Sequence, residues 1–228
     1  MTSAKLEEFL AELNSNDIVK GLYRRYGLWF GWLAMTTITL ANVATLMAST
    51  IINVAIPDIM GTFGIGQDKA QWLATAFLAS STVTMLMNSW LIRSLGPRYT
   101  VLVAMTLFII GSMLGGFSPN TDLLTVARIL QGAATGIITP MGMSMVFVLF
   151  PSGRQGMVLG VSSIGIVLAP ALGPALGGHL IDTLNWRYVY FMGVPFSLVV
   201  IPMAVLFLPG RDPNLSRVRL DWQGLVLV

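Results

Sequence analysis

Charged side chains are rare along this sequence and fall at nearly even intervals, so the chain reads as long uncharged runs separated by short polar punctuation. The runs hold 32 residues between Arg25 and Asp58, 23 between Lys69 and Arg93, and 23 between Arg98 and Asp122. They continue with 25 between Arg128 and Arg154, 27 between Arg154 and Asp182, and 23 between Arg187 and Arg211. A membrane-crossing helix takes roughly 20 mainly apolar residues, so each run accommodates one span and none comfortably takes two. The pattern predicts six helices, at about 29–55, 70–92, 99–118, 123–148, 156–181 and 188–208. Amphipathic periodicity is no guide here, because lipid-facing surfaces are apolar as well. Helix follows instead from the lack of water in hydrocarbon to satisfy unpaired backbone groups.

Composition narrows the class further. Of 228 residues, 55% are hydrophobic and 10% charged, against about 25% charged in an ordinary soluble domain. That excludes a soluble domain, a disordered tail and a coiled coil, and argues against an enzyme with a charged cleft. The formal net charge is +3, but the 13 Lys and Arg are spread thinly and form no dense patch of the kind that binds nucleic acid. Cysteine is absent, which removes disulfides and thiolate metal sites. His179 stands alone near the outer end of the fifth span, so no metal site is expected, and no cofactor motif occurs. The expected fold class is an all-α integral membrane bundle.

The cations set an expected orientation. With the N-terminus inside, the cytoplasmic segments hold Lys5, Lys20, Arg24, Arg25, Arg93, Arg98, Arg154, Arg211, Arg217 and Arg219, and the outer segments hold Lys69 and Arg187. Such a bias places both ends of a six-helix unit in the cytoplasm, as expected of a multi-pass protein of the cytoplasmic (inner) membrane. The expected organisation is a cytoplasmic amphipathic N-terminal segment (1–27), a six-helix transmembrane bundle (28–210), a cytoplasmic loop (211–221) and the start of a seventh helix (222–228). In the first segment Leu6, Phe9, Leu10 and Leu13 fall at helical spacing, the pattern of a helix lying on a membrane surface or docking on a partner. The run Trp222–Val228 after Asp221 reads as a seventh span cut short, so the chain is expected to be a fragment or a prematurely terminated product.

Polar and small residues within the spans carry the candidate chemistry. Gly165, Ala169, Gly173 and Gly177 recur every four residues on the fifth span, interleaved with Pro170 and Pro174. Small residues let helix backbones approach closely, as in lipid-embedded packing, and the two prolines remove donors and bend the helix. Arg128 is the ionisable residue drawn furthest into a span, beside Gln131 and Gly132. A cation at that depth is expected to face a bundle interior or a cavity, and Asp58, Asp122 and Asp182 all fall at span ends, leaving it without an acid partner. Asn42, Thr45, Ser49 and Asn53 share one face of the first span and either line a substrate path or bond neighbouring helices. Met141, Met143, Met145, Trp72 and Phe77 either shape a greasy pocket or fill core and lipid-facing positions. Gly132 and Gly136 form a Gly-x-x-x-Gly pair that serves intramolecular packing as readily as dimerisation.

The string from Gly165 through Ala169-Pro170 and Gly173-Pro174 to Gly177-Gly178 resembles the antiporter signature of the major facilitator superfamily's drug exporters. Thr50-Ile-Ile-Asn53-Val-Ala-Ile-Pro57, Gln71-Trp72, Arg128-Ile-Leu-Gln131-Gly132 and Asn185-Trp186-Arg187 through Phe191 to Val194-Pro195 are similar, in order, to motifs of its fourteen-helix drug:proton antiporters of the EmrB/QacA type. Asp221-Trp222-Gln-Gly224 is similar to the start of that family's seventh helix. The resemblance implies the N-terminal six-helix half of a secondary transporter that exports small amphipathic compounds, coupled to protons, from an inner membrane. In that picture Arg128, Gln131 and Gly132 form a proton-linked or conformational site and the first span lines the cavity. The fifth span packs against the other half, Arg93, Gly96 and Arg98 belong to a gating loop, and a periplasmic adaptor protein is a possible partner. Two positions depart from the family pattern: Ala48 stands where an Asp is usual, and Arg93 and Ser89 replace an Asp and a Gly of the loop after the second span. These departures admit a coupling carboxylate supplied from elsewhere, or an uncoupled facilitator. A non-transporting fragment or assembly partner is the alternative of a different class.

Overall fold

The computed structural model describes residues 17–211 continuously and, before them, Glu7, Phe9, Leu10, Ala11 and Leu13. Most of the loop expected at 211–221 and the whole predicted seventh-helix start at 222–228 lie outside the described residues. Short α1 (Asp17–Tyr26) leads into α2 (Trp29–Phe63), α3 (Gln67–Leu95), α4 (Pro97–Gly116), α5 (Thr121–Ile138) and α6 (Met141–Leu149). The long α7 (Ser152–Thr183), a single turn α8 (Tyr188–Phe191) and α9 (Val194–Phe207) complete the bundle.

Each predicted span is present as helix, with three informative differences. The fourth is broken at Thr139-Pro140 into α5 and α6, and the sixth at Met192-Gly193 into α8 and α9. Proline lacks an amide hydrogen and glycine tolerates the break; yet Pro57, Pro170 and Pro174 sit inside continuous helices, so neighbours rather than proline alone decide where a helix stops. Five helical stretches are long and apolar enough to cross a membrane, namely Trp29–Phe63, Pro97–Gly116, Thr121–Leu149, Ser152–Thr183 and Tyr188–Phe207. The second predicted span, α3, is not among them, because Ser80, Ser81, Thr82, Thr84, Asn88 and Ser89 dilute its apolar run. Those hydroxyls are largely satisfied locally: Ser81 and Thr82 donate to the Leu78 carbonyl and Thr84 to that of Ser80. A helix can thus carry them into an apolar surrounding at low cost.

The closest helix pairs are α3 with α5 and α2 with α7; α4 lies against α5, and α9 backs onto α2 and α4. Glycine sets these distances. A Cβ at Gly132 or Gly136 would strike the α3 backbone at Phe77 and Ser81, and one at Gly111 would lie 2.9 Å from the Ala127 carbonyl. Both ends of the bundle are stitched. At one end the Tyr23 hydroxyl donates to the Leu149 carbonyl, and Arg98 bonds the Leu208 and Pro209 carbonyls through Nε and its amide. Burial of the Tyr23 phenol pushes its pKa well above the ordinary tyrosine value, so it stays a donor throughout the physiological range. At the other end Trp186 Nε1 donates to Thr62 and Arg187 to the Ser118 carbonyl. The predicted surface helix behaves differently from expectation. Phe9, Leu10 and Leu13 are buried in one cluster with Tyr23, Phe30 and Phe150, so the apolar side expected on lipid is spent on the bundle itself.

Candidate functional site

The Asn120 side chain caps α5 by accepting from the Leu123 amide at 2.9 Å, which starts the helix and carries Arg128 roughly 12 Å further into the bundle, at 1.5 Å per residue. Gly132, one turn beyond, lets α3 approach so closely that the guanidinium lies against its backbone and over its Phe77 ring. Arg128 is 1% exposed. Its Nε donates to the Leu73 carbonyl of α3 at 3.2 Å, and its Nη1 to the Ala48 carbonyl of α2 at 2.9 Å and to Gln131 Oε1 at 3.0 Å. Gln131 Nε2 passes the chain on to Ser112 Oγ of α4 at 3.1 Å. The cationic centre lies 4.2 Å from the Phe77 ring centroid, a contact worth about 2 kcal/mol when desolvated. One Arg–Gln pair therefore ties α2, α3, α4 and α5 together.

Every partner of this cation is neutral. Among the described residues the ion pair present is Arg24 with Glu7, at the exposed N-terminal end. Hydrogen bonds from a charged donor contribute about 1.5–3 kcal/mol each, so the three together with the ring contact roughly offset the several kcal/mol it costs to desolvate an ion, and the charge adds little net stability to the bundle. Two buried donors beside one another in the bundle have no hydrogen-bond partner: Arg128 Nη2 and the Tyr190 hydroxyl. They border a space lined by Ala48, Ile51, Ile52, Gln131 and Val189 that is too tight for a water molecule. Tyr190 reaches it because Gly115 leaves room for its ring. Sequence reasoning missed Tyr190 and Ser112; Tyr190 lay inside the Asn185–Phe191 motif, but nothing local placed its hydroxyl beside a cation more than sixty residues away.

The first-span polar face divides. Asn42 and Thr45 are fully buried, Ser49 is half-buried and Asn53 exposed. Asn42 Nδ2 donates to the Ile38 carbonyl while its Oδ1 has no partner, and Thr45 and Ser49 bond their own helix. The gating-loop residues form a clamp: Gly96 takes a left-handed φ of +83° with its α-carbon against the Arg211 backbone, Arg98 holds the end of α9, and Arg93 is exposed. Of the aromatic and Met candidates, Phe77, Met141 and Met145 are core, whereas Trp72 and Met143 face outward.

The small-residue face of α7 packs on α2, within the same six-helix unit. A Cβ at Gly173 would lie 2.5 Å from Thr50 Oγ1, one at Gly177 2.5 Å from Ile51 Cγ1, and one at Gly165 3.0 Å from Thr39 Cγ2, while Gly178 sits at the edge near Val54. Ala169 is buried in this seam. Pro174 has no amide hydrogen to give the Pro170 carbonyl, and the Thr50 hydroxyl of α2 fills that role at 3.1 Å. What α7 leaves open is its other face, with Ile164, Val167, Leu168 and Leu172 exposed.

Residues 38–226 match the family model of the Major Facilitator Superfamily. The chain is 32% identical over 196 residues to the multidrug export protein EmrB of Haemophilus influenzae, covering 86% of this chain and 38% of that protein. It is 29% identical over 197 residues to the probable multidrug resistance protein EmrY of Escherichia coli K12, with the same coverage. The chain thus spans well under half the length of these relatives. Among solved structures, the proton:xylose symporter XylE has the same fold, with a TM-score of 0.69 at 13% identity over 77% of this chain and 44% of that one.

Proposed function

From the premise that this chain belongs to the major facilitator superfamily, we propose that it acts as the N-terminal half of a secondary exporter of small amphipathic compounds. Residues 28–210 form the transmembrane half, with both of its ends in the cytoplasm and the N-terminal segment and the 211–221 loop on that side. Support comes from relatives whose names record multidrug export and multidrug resistance. The observation that carries the reading is the buried Arg128–Gln131 pair, which links four helices while leaving Arg128 Nη2 and the Tyr190 hydroxyl unpaired at one point. A charge held that way is expensive as scaffold and useful as a site.

In this reading Arg128, Gln131 and Gly132 form the centre whose bonding changes during transport. Ser49 and Asn53 line the path with buried Asn42 and Thr45 behind them, and the Gly96–Arg98 clamp against the end of α9 latches the cytoplasmic side. The small-residue seam of Gly165, Ala169, Gly173 and Gly177, with Pro170 and Pro174, is the pivot on which α7 moves over α2. Protons drive export, with the coupling carboxylate coming from outside residues 17–211, and a periplasmic adaptor receives the substrate. The test is uptake of a fluorescent amphipathic cation into everted vesicles carrying the longest natural reading frame that contains this chain. Accumulation that collapses with the pH gradient is expected; no accumulation of cations, acids or dyes contradicts export. A second reading, an uncoupled facilitator, is favoured by the purely neutral partners of Arg128, and export indifferent to the pH gradient would select it.

A further inference from the structure

Two recesses lie end to end along α2 and share one residue. The first, about 240 Å³, is lined by Phe9, Leu28, Trp29, Trp32, Phe150 and Arg154. The second, about 180 Å³, begins at the same Trp32 and runs through Met35, Thr36, Thr39, Leu40 and Val43, closed on the α7 side by Val161 and Ser162. Together they make one groove in the seam where α2 and the start of α7 diverge. Beneath its far half the seam is already narrow, a Cβ at Gly165 lying 3.0 Å from Thr39 and 3.7 Å from Val43, and the Gly173 and Gly177 contacts close it further along.

The groove is charged at one end only. Arg154 stands exposed in the first turn of α7, its guanidinium carbon 5.5 Å from the Phe9 ring, and among the described residues no carboxylate pairs with it. A cation at a helix N-terminus opposes the helix dipole, and an anion beside it removes that conflict. Trp29, 72% exposed, sits at the same end, where a membrane helix begins and where tryptophan favours the water–lipid boundary. From Trp32 to Val43 the groove then runs about 16 Å at 1.5 Å per residue, close to the ~15 Å depth of one leaflet of hydrocarbon. Its lining beyond Trp32 carries no charge.

We propose that this groove is a glycerophospholipid site: the lipid phosphodiester rests on Arg154 at the Trp29 end, and one acyl chain lies along the surface of the α2–α7 seam as far as Val43. A single guanidinium matches a single phosphodiester, and the shape accepts a chain of one leaflet's length. The lipid covers the open end of a seam whose remainder is locked by glycine, so it sets how far α7 is free to move. The site shares no residue with the Arg128 cluster, and its test reads lipid binding, whatever the outcome for transport.

The experiment titrates delipidated protein in detergent with phosphatidylglycerol and phosphatidylethanolamine, with diacylglycerol and inorganic phosphate as separate arms, and counts bound lipid by native mass spectrometry. Both phospholipids are expected to bind one per chain. Arg154→Gln is expected to weaken them about tenfold, and Thr36→Trp to abolish binding by filling the groove with Arg154 intact. Both positions are exposed, so both variants remain monodisperse, and Lys69→Gln on a distant loop keeps full binding. Equal binding by all variants overturns the proposal, as does diacylglycerol binding as well as the phospholipids or displacement of lipid by inorganic phosphate alone. The same titration on the longer reading frame retains the lipid; exclusion of it there assigns the groove to protein and overturns the proposal too.

Discussion

Helices α5 and α7 are built from the same device and put to opposite uses. Each carries glycines four apart that press against a neighbour's backbone or branch points. Each crossing is also fastened by a hydroxyl from that neighbour to a helix carbonyl: Ser80 to Ile129 on α5, and Thr50 to Pro170 on α7. Yet 61% of the most apolar stretch through α5 and α6 is buried, against 22% for α7. Enclosed on three sides, α5 holds the buried cation; held along one seam, α7 carries two prolines and presents a broad apolar face outward. Small-residue spacing therefore reports a close crossing and nothing about what that crossing is for. The distinction lies in the other faces: a polar side chain that must be satisfied marks α5 as a centre, and unpaired bulky residues mark α7 as an edge.

The largest expected effect tests the α5 crossing. Gly132→Leu forces a side chain into the Phe77 backbone and is expected to abolish the folded bundle, or to cost at least the ~3 kcal/mol typical of severe overpacking, seen as aggregation on size exclusion. Gly160→Leu on α7 meets nothing within 4 Å and is expected to leave folding unchanged; matching effects would erase the distinction between the two helices. Next, Arg128→Met removes three hydrogen bonds and strands Gln131. A destabilisation of about 1–3 kcal/mol is expected from leaving buried acceptors without a donor, measured by thermal unfolding in detergent. Smaller again, Thr50→Val leaves the Pro170 carbonyl without a donor, and Ser80→Ala does the same for a carbonyl bond on α5. Each is expected to cost about 0.6 kcal/mol, the usual worth of such bonds between membrane helices, and a much larger loss for Thr50 would show that α7 depends on that one bond. Comparable in size is Tyr23→Phe, at about 0.5–1 kcal/mol, sensed in the docking of the N-terminal segment and not in α7.

Much of the fold was legible because charge is so costly in hydrocarbon. The runs between charged residues located every span, and Arg128 stood out as the charge inside one. What stayed hidden depends on which element a residue meets. The break at Thr139-Pro140 and the continuity through Pro170 and Pro174 look alike in sequence; Thr50, supplied by a distant helix, explains how the Pro174 gap is tolerated. Phe9, Leu10 and Leu13 show the spacing of a lipid-facing helix, and only the position of Phe150 and Tyr23 turns them inward. The small face of α7 was legible but the helix it meets, α2, was not, since glycine spacing is silent on which helix fills the groove. Tyr190 was invisible because its role rests on Gly115 and Arg128 from two other helices.

The central claim is that Arg128 serves transport rather than scaffolding, and one measurement addresses it most directly. Arg128→Lys keeps the positive charge but not the planar fork that reaches Leu73, Ala48 and Gln131 together. Efflux by this variant in the longest natural reading frame, normalised to monodisperse protein, is expected to fall at least tenfold while the thermal midpoint stays closer to the parent than that of Arg128→Met. Parental efflux from a folded Arg128→Lys protein would contradict the claim and return the residue to the role of a structural tie.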